Sequence, residues 1–246
     1  MELTQPMWLL AIFCAFMIGM AKTGISGLGT VIIPLMAYIF GGMPSSGIVL
    51  PMLIMADTIG VIYYHRSANW KTILRIMPWA LVGIAVGLAV GKSISPDWFR
   101  RLIGILVLLS LAIMLWLEYR RNKIEQTVTG KKAYTIIFGL LGGFSTMIGN
   151  AAGPVMSVYL LSENMDKKEF IGTAAWFFFI INILKMPLQI WGWHNITWQT
   201  FQFDLMLLPA IALGAWAGIS IVKLIPERIY RWFIWVATII SAVVLF

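Results

Sequence analysis

Apolar residues along this chain fall into runs bounded by Gly, Pro or charged turns, and the runs come in two lengths. The first half predicts helical segments at 5–22, a short one at 29–40, then 45–64, 71–91 and 98–118. The second half predicts 133–148, a short one at 152–162, then 168–190, 199–222 and 228–246. The long runs suit a hydrocarbon core about 30 Å thick. The short ones would rise about 18 Å at about 1.5 Å per residue. Each short run is therefore expected to cross partway and to pair with the preceding helix as a broken or hairpin element. A break precedes each: Gly24-Ile25-Ser26-Gly27-Leu28-Gly29-Thr30 in the first half and Gly149-Asn150-Ala151-Ala152-Gly153 in the second. Glycines so closely spaced do not continue a good helix, and broken helices at membrane depth persist where they are buried in protein or line a polar cavity.

The halves resemble each other in order as well as in pattern. Asn69-Trp70-Lys71-Thr72 recurs as Thr197-Trp198-Gln199-Thr200, while Pro78, Gly83 and Gly87 recur as Pro209, Gly214 and Gly218. Ser95-Pro96-Asp97 recurs as Ile225-Pro226-Glu227. The fold class expected is an all-α polytopic membrane protein of two inverted five-segment repeats, 1–125 and 126–246, together one transport domain. Each repeat opens with a Gly-broken helix and a short, partly crossing helix. Basic residues support the inversion. If each half crosses an odd number of times, Arg66, Lys71, Arg75, Arg120, Arg121, Lys123, Lys131, Lys132, Lys167, Lys168, Lys223, Arg228 and Arg231 share one side, against Lys92, Arg100 and Arg101 on the other. The positive-inside rule then places both termini outside, and an inverted repeat carries its site at the repeat interface.

Composition narrows the class further. The chain is 60% hydrophobic and 11% charged, against roughly 25% charged for a soluble domain, so no sizeable soluble domain is expected. The net charge of +8 comes from residues in short inter-helix loops, which orient the chain in the bilayer rather than bind nucleic acid. The single Cys14 lies in an apolar run, which excludes a disulfide framework and a cysteine-rich metal site. More apolar runs follow the first one, so it reads as a span and not as a cleaved leader. His65 and His194 sit at segment ends, and no metal or cofactor is expected. The reading allows a homodimer and places the protein in a bacterial inner membrane.

Few polar groups remain at depth. Lys22 and Lys185 come from opposite halves, and Asp57 is the carboxylate near the centre of a full span. An ionisable residue inside the bilayer is a functional hypothesis by default. Two cations and one anion suit an anionic ligand, although Lys185 could also snorkel to a surface. The short segments open with free N–H groups and a partial positive charge, which bind anionic oxygens. The expected substrate-binding set is Lys22, Thr23, Ser26, Gly27, Gly29, Thr30, Asn150, Gly153, Thr173, Trp176, Asn182, Lys185 and Gln189. Trp176 would either wall the site or pack. Asp57 would be a salt-bridge partner, a proton carrier or an orienting group. Gly83, Gly87, Gly214 and Gly218, at four-residue spacing in full spans, read as close-packing positions. Most of the 12 Trp sit near segment ends as interfacial anchors.

Several of these residues resemble one family. Lys22-Thr23-Gly24-Ile25-Ser26-Gly27-Leu28-Gly29 followed by Pro34 is similar to the opening motif of the sulfite exporter TauE/SafE family, and Leu50-Pro51, Ala56-Asp57 and Tyr64 fit it downstream. In the second half, Gly172-Thr173-Ala174-Ala175-Trp176-Phe177-Phe178 and Asn182-Ile183-Leu184-Lys185-Met186-Pro187 resemble it too. Where family members often carry a glycine cluster, this chain has Asn150, which would supply a side-chain contact. The resemblance implies a secondary transporter of sulfite, sulfoacetate, other organosulfonates or related small anions. Export is the family's usual assignment. It would be favoured by the membrane potential, at about 2.3 kcal/mol per charge per 100 mV. The alternative is proton-coupled uptake through Asp57. An anion channel would show currents above carrier rates. An intramembrane lipid-phosphate enzyme wants paired carboxylates, or an arginine with Ser or His, at one depth, and the pattern offers neither.

Overall fold

The computed structural model describes residues 4–25, 28–95, 132–163 and 165–224, with a few positions between 97 and 112 and at 226 and 229. The segments expected at 98–118 and 228–246 fall largely outside the described residues. Every described element is a helix: α1 Gln5–Thr23, α2 Gly29–Phe40, α3 Gly42–Tyr64, α4 Trp70–Ser93, α5 Lys132–Gly149, α6 Gly153–Ser162, α7 Lys167–Pro187 and α8 Trp198–Leu224. A wider π turn, Leu188–Trp193, extends α7. Among the described residues, five helices are long and apolar enough to cross a membrane: α1, α3, α4, α7 with its π extension, and α8.

Local chemistry sets the boundaries. α4 starts where the Asn69 side chain accepts the Thr72 N–H at 3.0 Å, and α7 where Asp166 accepts the Glu169 N–H at 2.7 Å. Both are side-chain N-caps. α2 ends at Gly41, whose φ of 87° lies in the region that glycine enters without steric cost. α7 loosens into the π turn just after Pro187, which has no N–H to give the helix ladder. The sequence pattern predicted a plain helix to 190 and did not foresee this widening.

Packing crosses between the halves. α1 lies along α8, α5 lies along α4, and α3 and α7 pack on each other in the middle. Glycines let the outer pairs meet backbone to backbone. A methyl group added at Gly19 would stand 2.1 Å from the Ile211 carbonyl oxygen, and one at Gly143 would stand 1.9 Å from that of Ala80. The reciprocal contacts are Gly214 on the Phe16 oxygen, at 1.9 Å, and Gly83 on the Leu140 oxygen, at 2.3 Å. Gly218 packs on Met20 and Thr23, while Gly87 packs on Met147. Closer to the centre, Gly47 abuts Asn195 and Gly172 abuts Ser67. Such small-residue contacts let membrane helices approach closely, where van der Waals packing holds them together.

Candidate functional site

Where α1 and α5 end, the chain breaks and restarts as α2 and α6. The two restarts face one cavity of about 80 Å³ between them. Gly29 and Gly153, the first residues of α2 and α6, both line it. A methyl group added at either would meet nothing within 4 Å, the opposite of the packing glycines. The rest of the wall comes from α1, α3, α5 and α7, from both breaks and from later turns of α2 and α6. It carries Lys22, Asp57, Thr146, Asn150, Ser157 and Asn182 among apolar residues such as Ile32, Val49, Leu53, Met156 and Phe178.

Two polar knots are built into that wall. In the first, the Lys22 ammonium stands 3.0 Å from Asp57 Oδ1 and donates to Oδ2 at 3.3 Å, with the Phe178 ring centroid 4.0 Å below it. Asp57 is wholly buried, and its Oδ2 also accepts from Asn182 Nδ2 at 2.7 Å. In the second, Lys185, equally buried, donates to Asn150 Oδ1 at 2.6 Å, to Thr146 Oγ1 at 3.0 Å and to Asn182 Oδ1 at 3.5 Å. Three acceptors thus meet three ammonium hydrogens. Asn182 joins the knots, one amide end on each. Asn150 turns the chain at φ 56°, a left-handed value that Asn tolerates better than most residues. Its Nδ2 donates to the Ser46 carbonyl oxygen at 3.0 Å.

The structure brings Lys22, Gly29, Asp57, Asn150, Gly153 and Asn182 to the cavity wall, with Lys185 one side chain behind it. Four other residues singled out in the sequence have their side chains elsewhere. Thr23 Oγ1 donates to the Gly19 and Ala215 carbonyl oxygens, each at 2.9 Å. Thr173 Oγ1 accepts the Asn69 N–H. Trp176 packs at a tilt on Trp70 and edge-on against Phe179, and Gln189 is buried in the π turn. Ser26 and Gly27 lie outside the described residues; Thr30 falls in the first turn of α2.

Thr146, Ser157 and Phe178 are cavity residues that the sequence pattern did not assign to the site. Thr146 is a polar residue within an otherwise apolar run. Nothing in the sequence marked Phe178 as the ring under Lys22. Asp204 lies near the start of α8, off-centre in its span, and the sequence pattern does not assign it to the site. It is wholly buried, with no hydrogen-bond partner among the described residues for either oxygen.

An all-helical bundle with membrane-length helices around a polar, lysine-bearing cavity is the architecture of a polytopic membrane transporter. The sulfite exporter TauE/SafE family model matches residues 11–245, nearly the whole chain, and the chain belongs to that family. No curated protein and no solved structure gives a match. Membership makes the chain an integral membrane transporter of an anion-exporting family and not an enzyme.

Proposed function

We propose that the protein is a secondary carrier that exports small sulfur-containing anions, sulfite or organosulfonates, by alternating access at this cavity. The cavity lies between two inverted repeats, 1–125 and 126–246. The observation that carries the reading is the composition of the cavity wall. When the halves are aligned on their matching glycine contacts, Gly19 with Gly143 and Gly47 with Gly172, the wall residues fall into pairs. Lys22 matches Thr146, Gly29 matches Gly153, Ile32 matches Met156, Val49 matches Ala174, Leu53 matches Phe178, and Asp57 matches Asn182. A wall made of matched positions from two halves suits a site that opens to one side and then the other as the halves exchange conformations.

In this reading Lys185 supplies the positive field, Lys22 offers its ammonium hydrogens to the anion, and Asp57 is the counter-charge that holds Lys22 in place. The free N–H groups at the starts of α2 and α6 approach the anion's oxygens. With both termini outside, in a bacterial inner membrane, the inside-negative potential drives the anion outward without a coupled ion, at about 2.3 kcal/mol per charge per 100 mV. The test is reconstitution into liposomes with a panel of sulfite, organosulfonates and carboxylates. Saturable counterflow of the sulfur anions is expected, and Lys22→Ala and Lys185→Ala should each abolish it while the protein still elutes as a folded species. Normal transport by both variants would remove the central site from the mechanism.

A further inference from the structure

The charges around the cavity can be counted, and the count narrows the substrate. Among the described residues, Lys22 and Asp57 are the ionisable side chains that line it. They face each other at 3.0 Å, so the pair is neutral as a unit, whichever partner holds the proton. Lys185 stands behind the wall with its three donors directed to Thr146 Oγ1, Asn150 Oδ1 and Asn182 Oδ1. Both amides give their N–H₂ groups to other acceptors, Ser46 and Asp57, so each turns an oxygen toward Lys185. That shell offers three acceptors to an ammonium, so Lys185 contributes at most one positive charge. No carboxylate ion-pairs with it among the described residues, and each of its three ligands faces the cavity.

The helix ends leave this count unchanged. Each break sets the negative C-terminal end of one helix (α1 or α5) beside the positive N-terminal end of the next, so the partial charges largely offset. They provide donors for oxygen atoms and no additional net charge. The remainder of the wall is mostly aliphatic and aromatic, with Leu53 and Phe178 at matched positions.

We infer that the site selects singly charged anions over doubly charged ones: short alkanesulfonates over their carboxylated analogues, and hydrogensulfite in preference to sulfite. This rests on the anion-carrier reading above and narrows it, because doubly charged members of that class, such as sulfoacetate, are disfavoured. A monoanion is balanced in full by a protonated Lys185. A dianion leaves one unbalanced charge in a low-dielectric chamber, where charge imbalance costs far more than in water. A carboxylate tail would also meet hydrocarbon where an ethyl group would be at home.

The experiment is counterflow in proteoliposomes of the full chain, with ethanesulfonate and sulfoacetate compared at one pH. Ethanesulfonate should exceed sulfoacetate in kcat/KM by about tenfold or more. Equal rates, or faster sulfoacetate, would overturn the charge count while leaving the carrier reading intact. Failure of both, with folded protein, would instead remove the carrier reading. Asp57→Asn adds one net positive charge and should shift the ratio toward sulfoacetate; an unchanged ratio in folded variant counts against the proposal. A second measurement needs no variant. Sulfite transport by the native protein, normalised to ethanesulfonate, should rise as pH falls and the hydrogensulfite monoanion accumulates. A rise with increasing pH would overturn it.

Discussion

The two helix breaks perform the same backbone task with different side-chain chemistry. Both end a helix and leave a glycine at the mouth of a short one, Gly29 in the first half and Gly153 in the second. At the first break the nearby lysine, Lys22, lies on the broken helix itself and is answered by a carboxylate. At the second, the matched position is Thr146, and the lysine arrives from α7, surrounded by neutral oxygens. One break therefore carries a self-cancelled charge and the other an open one. The first is suited to holding its shape and the second to exerting a field on the cavity.

If that division is right, variants at the two lysines should fail in different ways. Lys22→Met strands the buried Asp57 carboxylate and should cost about 3–5 kcal/mol of stability. Most of this should return in the Lys22→Met/Asp57→Asn double variant, read by thermal unfolding in detergent as a double-mutant cycle. Lys185→Met leaves neutral acceptors without a donor, a smaller loss of about 1–3 kcal/mol, while counterflow falls to background. Equal destabilisation by both would erase the distinction between the breaks.

The glycines sharpen it next. Gly143→Ala and Gly214→Ala each press a methyl group against a carbonyl oxygen 1.9 Å away and should destabilise by about 1–3 kcal/mol or more. Gly29→Ala and Gly153→Ala meet open space and should leave the unfolding temperature nearly unchanged while raising the KM for the anion. Variants of Asn150 separate its backbone role from its side-chain role. Asn150→Gly keeps the left-handed turn and loses a Lys185 ligand, whereas Asn150→Ala also strains the backbone, by about 1–2 kcal/mol. The unfolding temperatures should fall in the order native, Gly, Ala.

Much of this arrangement could be read before any coordinates, because the governing signals were local. The two short runs, expected at 29–40 and 152–162, are helices Gly29–Phe40 and Gly153–Ser162. The close-packing reading of Gly83, Gly87, Gly214 and Gly218 agrees with their contacts. Lys22, Lys185 and Asp57 stood out because ionisable groups in apolar runs are rare. What the sequence could not convey was pairing. Asn182 and Lys185 are three residues apart on one helix, yet Asn182 spends one amide end on Asp57, 125 residues away in sequence. Thr146 and Phe178 have ordinary helix neighbours and acquire a role only when α1, α5 and α7 converge. The π turn after Pro187 and the burial of Asp204 were hidden for the same reason: hydropathy registers depth in a span, and both depend on which helix lies alongside.

The crossed packing of α1 on α8 also sets a timetable. α1 is made well before α8, so the glycine-lined flank that meets Ile211 and Gly214 waits for the roughly 195 residues between Gly19 and Gly214 to appear. At about 5–20 residues per second that delay is about 10–40 s. The nascent protein must hold an unmated helix in the bilayer throughout it, exposed to capture by any other small-residue flank or by a quality-control protease.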